Sequence, residues 1–105
     1  MKVRWHGEAR AEAEAAAAFY MEVQPGLAQR FVDELEETLH RMQRHPRAYR
    51  HVEAGSRKCR VEHFPYAVIY RERASTIEII AIMHLRRSPG YWKQRTLRSR
   101  AKANH

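Results

Sequence analysis

The chain has 105 residues, with 20 Lys and Arg against 12 Asp and Glu and a formal net charge of +8. That length suits one domain with one core, and 44% hydrophobic with 30% charged residues excludes a disordered chain. No apolar run approaches the ~20 residues of a membrane helix, MKVRWHGEAR has no apolar signal-peptide core, and a single cysteine, Cys59, excludes an internal disulfide and supplies no zinc set. A reducing cytoplasm is the expected compartment, and no cofactor or metal is expected.

In chain order, KVRW (Lys2–Trp5) alternates and reads as a short strand. From Glu8 to about Val23 the chain is rich in Ala and Glu, both strong helix formers, and Ala9, Ala13, Ala16, Ala17 and Tyr20 form one small-residue face. Gln24–Pro25–Gly26 breaks this helix. A second helix is expected from Pro25 or Leu27 to Arg44. Leu27, Phe31, Leu35, Leu39 and Met42 make its apolar stripe, and Asp33, Glu36, Glu37, Arg41 and Arg44 its wet side. Pro46 ends it. Two helices with so short a linker make an antiparallel hairpin.

The second half changes period. Over Arg57–Phe64, Cys59 and Val61 share one parity and Lys58, Arg60 and Glu62 the other, the pattern of a half-buried strand. YAVIYRE (Tyr66–Glu72) is β-branched and aromatic, and TIEIIAIMH (Thr76–His84) is the most apolar stretch, suited to a central strand. Pro65 and Arg73–Ser75 supply the turns. The expected fold is α+β: an N-terminal strand and a two-helix antiparallel hairpin packed on a largely antiparallel sheet of three to four strands. Residues 1–95 make the domain and residues 96–105 a basic tail, frayed or ordered by a partner.

Charge divides along the same line. Residues 1–40 hold four bases and eight acids, a net of −4, whereas residues 41–105 hold sixteen and four, a net of +12. A basic lobe of this kind attracts nucleic acid, ribosome or an acidic protein segment. The stretch HLRRSPGYWKQR concentrates it, with His84, Arg86, Arg87, Tyr91, Trp92, Lys93 and Arg95 after the apolar strand. Arg57, Lys58 and Arg60 add a second group. Each has a plainer reading. Tyr91 and Trp92 could cap the open end of the core. His84 could be a hydrogen-bonded structural histidine. The Arg57–Arg60 cations could guard a sheet edge. Cys59, among those cations, is a thiol with a lowered pKa or a packed small hydrophobe. The histidines have no metal spacing.

The element order, with PGLAQRFVDELEETLHRMQRHPRAYRHV, RKCRVEHFPYAVIYR and IIAIMHLRRSPGYWKQR in sequence, resembles the RelE/ParE superfamily of toxins from bacterial type II toxin–antitoxin systems. The resemblance spans about residues 3–95. It implies a growth-inhibiting toxin neutralised by a cognate antitoxin, an acidic, partly disordered protein. Its target is either DNA gyrase or mRNA on the ribosome. A nuclease would need no metal: by resemblance Arg60 or Arg71 holds the phosphate, His84 moves the proton, Tyr91 or Trp92 stacks a base, and Tyr91 is the alternative proton donor. Only Lys58 supplies a lysine in the third strand, and the HLRRSPGYW ending is similar to the ParE-like branch, in which those residues are not kept as a set. Arg57, Lys58, Arg86, Arg87, Tyr91, Trp92, Lys93 and Arg95 would then contact target or antitoxin. An inactive protein that only binds its antitoxin and co-represses the operon is the third reading.

Overall fold

The computed structural model describes residues 2–97. Its elements are β1 (Lys2–Trp5), α1 (Gly7–Val23), α2 (Pro25–Arg44), β2 (Arg50–His51), β3 (Arg57–Arg60), β4 (Tyr66–Arg73) and β5 (Thr76–His84). Residues 93–97 are helical. The strands form one mixed sheet in the order β1-β5-β4-β3-β2. β1 runs parallel to β5, and the remaining pairs are antiparallel. The sheet therefore has five strands rather than three or four, because the N-terminal strand joins its β5 edge and two residues of β2 extend the other.

The helices form where expected. Pro25 sits in the first turn of α2, where its missing N–H costs nothing, and the Gln24 N–H closes α1 on the Tyr20 carbonyl at 2.8 Å. Ala9, Ala16 and Tyr20 of α1 and Ala28, Phe31, Leu35 and Met42 of α2 are buried against one face of the sheet. Tyr20, Phe31, Phe64 and Tyr66 pack there with neighbouring ring centroids 5.0–5.4 Å apart. On the strands Val3, Trp5, Cys59, Val68, Tyr70, Ile77, Ile79 and Ile82 belong to this main core. Cys59 is thus a buried thiol, pushed up in pKa chiefly by desolvation.

A bulge breaks the alternation of β5. Ile69 pairs with Ala81 and Tyr70 with Ile79, so Ile80 has no β4 partner of its own. Ile80 and Ala81 consequently both join Ile69 and Met83 in a second, smaller core on the sheet face away from the helices. Two devices tie down the entry to the sheet. Tyr70 donates its hydroxyl to the Pro46 carbonyl at 2.8 Å, and the Arg57 guanidinium donates to the carbonyls of Arg47 and Tyr49 at 3.0 and 2.8 Å.

The β4–β5 turn is two residues, Ala74 and Ser75, with φ of 48° and 64°. A two-residue hairpin loop with both residues left-handed matches the sheet twist and favours Asn-Gly, whereas Ala and Ser bear a Cβ penalty there. Replacing the pair (A74N/S75G) raises the unfolding free energy by about 1 kcal/mol in urea denaturation. An unchanged midpoint would mean that the turn carries no such strain.

Candidate functional site

After β5 the chain turns back over the second core. Trp92 is only 2% exposed and packs with Ile69, Ile80, Ala81 and Met83, with Val52, Leu85 and Tyr91 around it. Gly90, at φ 79°, makes the reversal, and a Cβ there would meet the Lys93 side chain at 2.7 Å.

The segment is held by one carboxylate. β1 ends at Trp5, opposite Ile79, while β5 runs on to His84. Past Ile79 that side of β5 lacks a strand, and its backbone groups need other partners. Glu12, on α1, accepts the Ile82 N–H at 3.0 Å. It also accepts the Tyr91 hydroxyl at 2.6 Å and both terminal nitrogens of Arg95 at 2.8 and 3.0 Å. Arg95 in turn donates to the Ile80 carbonyl at 3.0 Å. Side-chain exposure of 12% for Arg95 and 18% for Glu12 makes this a desolvated, bidentate pair. Burial, then the hydrogen bond to Glu12, pushes the Tyr91 phenol well above its usual value.

Between the clamped segment and β2–β3 lies a cleft of about 300 Å³. Val52, Ile69, Met83, Leu85 and Trp92 give it an apolar lining. Arg50, Lys58 and Arg87 give it a cationic rim, with His51 beside them. Glu53, also on the cleft, is paired with Lys93 at 2.6 Å. The Arg87 guanidinium lies over the Tyr91 ring, 3.9 Å from its centroid. An apolar floor under several cations suits a hydrophobic or aromatic group flanked by negative charge.

The residues singled out from sequence fall into three groups. Lys58, Arg86 and Arg87 are open to solvent or half-buried, without an ion pair among the described residues, and Arg60 is exposed beside them on β3. Arg57, Tyr91, Trp92 and Arg95 hold the fold: Trp92 is in the second core and offers no ring face to a base. Arg71 is 3.4 Å from both oxygens of the buried Glu78. The nuclease set does not converge. His84 pairs with Tyr66 and Arg71 with Glu78, five residues along β4, which is about 17 Å of strand. Arg60 lies at the His84 end, since Arg60 pairs with Ala67 and Ala67 with Met83. His84 accepts the Arg86 N–H on Nδ1 at 3.0 Å and meets the Tyr66 ring edge-on at 5.0 Å. The Tyr91 hydroxyl is committed to Glu12.

Glu12 escaped sequence reasoning, being one of several glutamates on an Ala-rich helix. Glu34, Glu62 and His63 place donor atoms within 4.8 Å of one another. Arg41 and Arg60 line the same hollow as Glu62 and His63, and their charge opposes a cation. Thr96 is buried and donates to the Lys93 carbonyl at 2.7 Å. The rest of the expected tail, residues 98–105, lies outside the described residues. Among the described residues no helix is long and apolar enough to cross a membrane.

The family model for the ParE toxin of type II toxin–antitoxin systems, parDE, matches residues 3–89. None of the curated proteins compared with the chain is significantly similar in sequence. Among solved structures, a chain of the chromosomal ParDE toxin–antitoxin system from P. aeruginosa is similar, with a TM-score of 0.72 and 25% identity, over 80% of this chain and 95% of that one.

Glu12→Gln lowers the unfolding free energy by about 3 kcal/mol, because it leaves Arg95 buried without its counter-charge. The exposed Glu14→Gln changes it by less than about 0.5 kcal/mol. Equal effects in chemical denaturation would contradict the clamp. Alkali tests the same segment. Burial raises Tyr70 from 10.0 to about 12 and Tyr91 further. Below pH 10 folded and unfolded chains carry the same phenol protons. Above it the unfolded chain gives up protons that the fold keeps, so stability falls as pH rises. Tyr91→Phe makes that fall shallower between about pH 10 and 12.

Proposed function

The chain belongs to the ParE toxin family of type II toxin–antitoxin systems, and from that premise we propose that it arrests growth by binding its target rather than by cutting RNA, with DNA gyrase as that target. The observation that carries this reading is the cleft beside Trp92. It combines an apolar floor with Arg50, Lys58 and Arg87, which is binding chemistry. Of the two arginines that could steady a phosphate, Arg71 lies about five residues along β4 from His84 and is paired with Glu78, and only Arg60 shares the His84 end of the sheet. A ribosome-dependent nuclease would have to bring Arg71 out of its pair with Glu78 or work with His84 and Arg60 alone. The co-repressor reading keeps the antitoxin and drops the target.

A cognate antitoxin follows from the family. Two features of this chain define what it must offer. The cationic rim calls for carboxylates. The far end of the helical hairpin leaves Phe19, Met21 and Val23 more than half exposed, which calls for an apolar helix face. An acidic, amphipathic segment that folds on binding meets both needs.

Induction of the 105-residue chain alone stops growth, and co-expression of the small acidic protein encoded beside it restores growth. Purified toxin inhibits gyrase supercoiling and leaves cell-free translation intact. R50E/R87E abolishes the inhibition, while His84→Ala keeps it. Inhibited translation with normal supercoiling, lost in His84→Ala, would replace this reading with the nuclease. Normal growth on induction would leave the co-repressor.

A further inference from the structure

A second basic site lies at the opposite edge of the sheet, clear of the cleft beside Trp92. Strand register builds it. Lys2 pairs with Thr76 across β1–β5, and Thr76 pairs with Arg73 across β5–β4. One row further along, Arg4 pairs with Glu78 and Glu78 with Arg71. Val3, Trp5, Ile77 and Ile79 point into the main core. By alternation, the intervening residues of both rows lie on the sheet face away from the helices.

The two rows differ in charge. The inner row has an acid at its centre, and Glu78 is well supplied: Arg71 reaches both its oxygens at 3.4 Å, His6 Nε2 lies 3.2 Å away, and Arg73 stands off at 3.8 Å. The outer row is cation, hydroxyl, cation, with no acid. Lys2 is exposed and has no ion pair among the described residues, and the Thr76 hydroxyl has no hydrogen bond among them. The buried Arg71 Nε also lacks an acceptor. An open hollow of about 500 Å³ lies over this row, lined by Lys2, Arg4, Arg73, Thr76 and Glu78.

We propose that the Lys2–Thr76–Arg73 row is a binding site for a phosphate group. Strands lie about 4.8 Å apart, so the two cations start about 10 Å from each other with the hydroxyl between them. Two cations about 10 Å apart with a hydroxyl between them suit an anion whose oxygens spread around one centre and carry up to two charges, as a phosphate's do, better than the two oxygens and single charge of a carboxylate. Arg73 supplies a planar fork and Lys2 a movable point charge, the two ways in which proteins grip phosphate.

The experiment is NMR titration of the full chain with inorganic phosphate against chloride at equal ionic strength, then with a short single-stranded DNA. Phosphate shifts the amides of residues 2–4 and 73–78. Arg73→Gln weakens binding about tenfold, the loss of one charge-assisted hydrogen bond. Lys2→Gln weakens it similarly, and Arg30→Gln, an equal change of charge on exposed α2, does not. DNA binding through the same amides, with a salt slope reduced by about one in Lys2→Gln, identifies a nucleic-acid backbone as the source. Binding of free phosphate alone identifies a small phosphate ligand. Equal losses in Arg30→Gln and Arg73→Gln, no shift with phosphate, or equally tight binding of an oligoglutamate peptide would each overturn the proposal.

Discussion

Four donors converge on the carboxylate of Glu12: the Ile82 N–H, the Tyr91 hydroxyl and two nitrogens of Arg95. They come from the central strand and from the segment that follows it, and the acceptor comes from the first helix. This contact arises from unequal strand lengths. A four-residue β1 cannot cover a nine-residue β5, and the uncovered backbone must be satisfied by side chains. With Glu12 in place, the C-terminal segment is held over the sheet, Trp92 packs in the second core with Ile80 and Ala81, and Arg87 is presented at the cleft rim. Without it, a buried guanidinium and a strand edge would both lack partners.

The positive charge of the second half is divided between structure and surface. Arg57 holds two carbonyls, Arg71 holds Glu78, Arg95 holds Glu12, and Lys93 and Arg47 pair with Glu53 and Glu72. Arg50, Lys58, Arg60, Arg86 and Arg87 remain toward solvent, on or beside the sheet face away from the acidic helical hairpin. The basic lobe is therefore real but smaller than a count of residues suggests. The fold spends arginines where a long, always-charged donor can reach an otherwise unsatisfied acceptor.

Local signals carried the secondary structure. Proline at 25 and 46 and the alanine and leucine stripes act over a few residues, and the helices end where they indicate, whereas the alternation through Cys59 and Val61 outlasts its strand, because β3 stops at Arg60. The long-range pairings left no such mark. Nothing in KVRW announces a parallel partner more than seventy residues away, and two residues of β2 are too few to show a period. The bulge hides inside an unbroken apolar run, where Ile80 and Ile79 look alike but face opposite ways. Glu12 reads like its neighbours until Arg95 is folded back over it. Tyr91 and Trp92 were legible as aromatics near an open end, and their capping role follows from the second core beneath them.

The carboxylate of Glu12 joins α1, the free side of β5 and the C-terminal segment into one cooperative unit. Native-state hydrogen exchange compared between the natural chain and Glu12→Gln tests this directly. The amides of Ile82 and residues 91–96 should lose protection together, while those of Phe31 and Leu35 in α2 keep theirs up to the global limit. Protection lost evenly over the whole chain, or retained at Ile82 and Trp92, would contradict it.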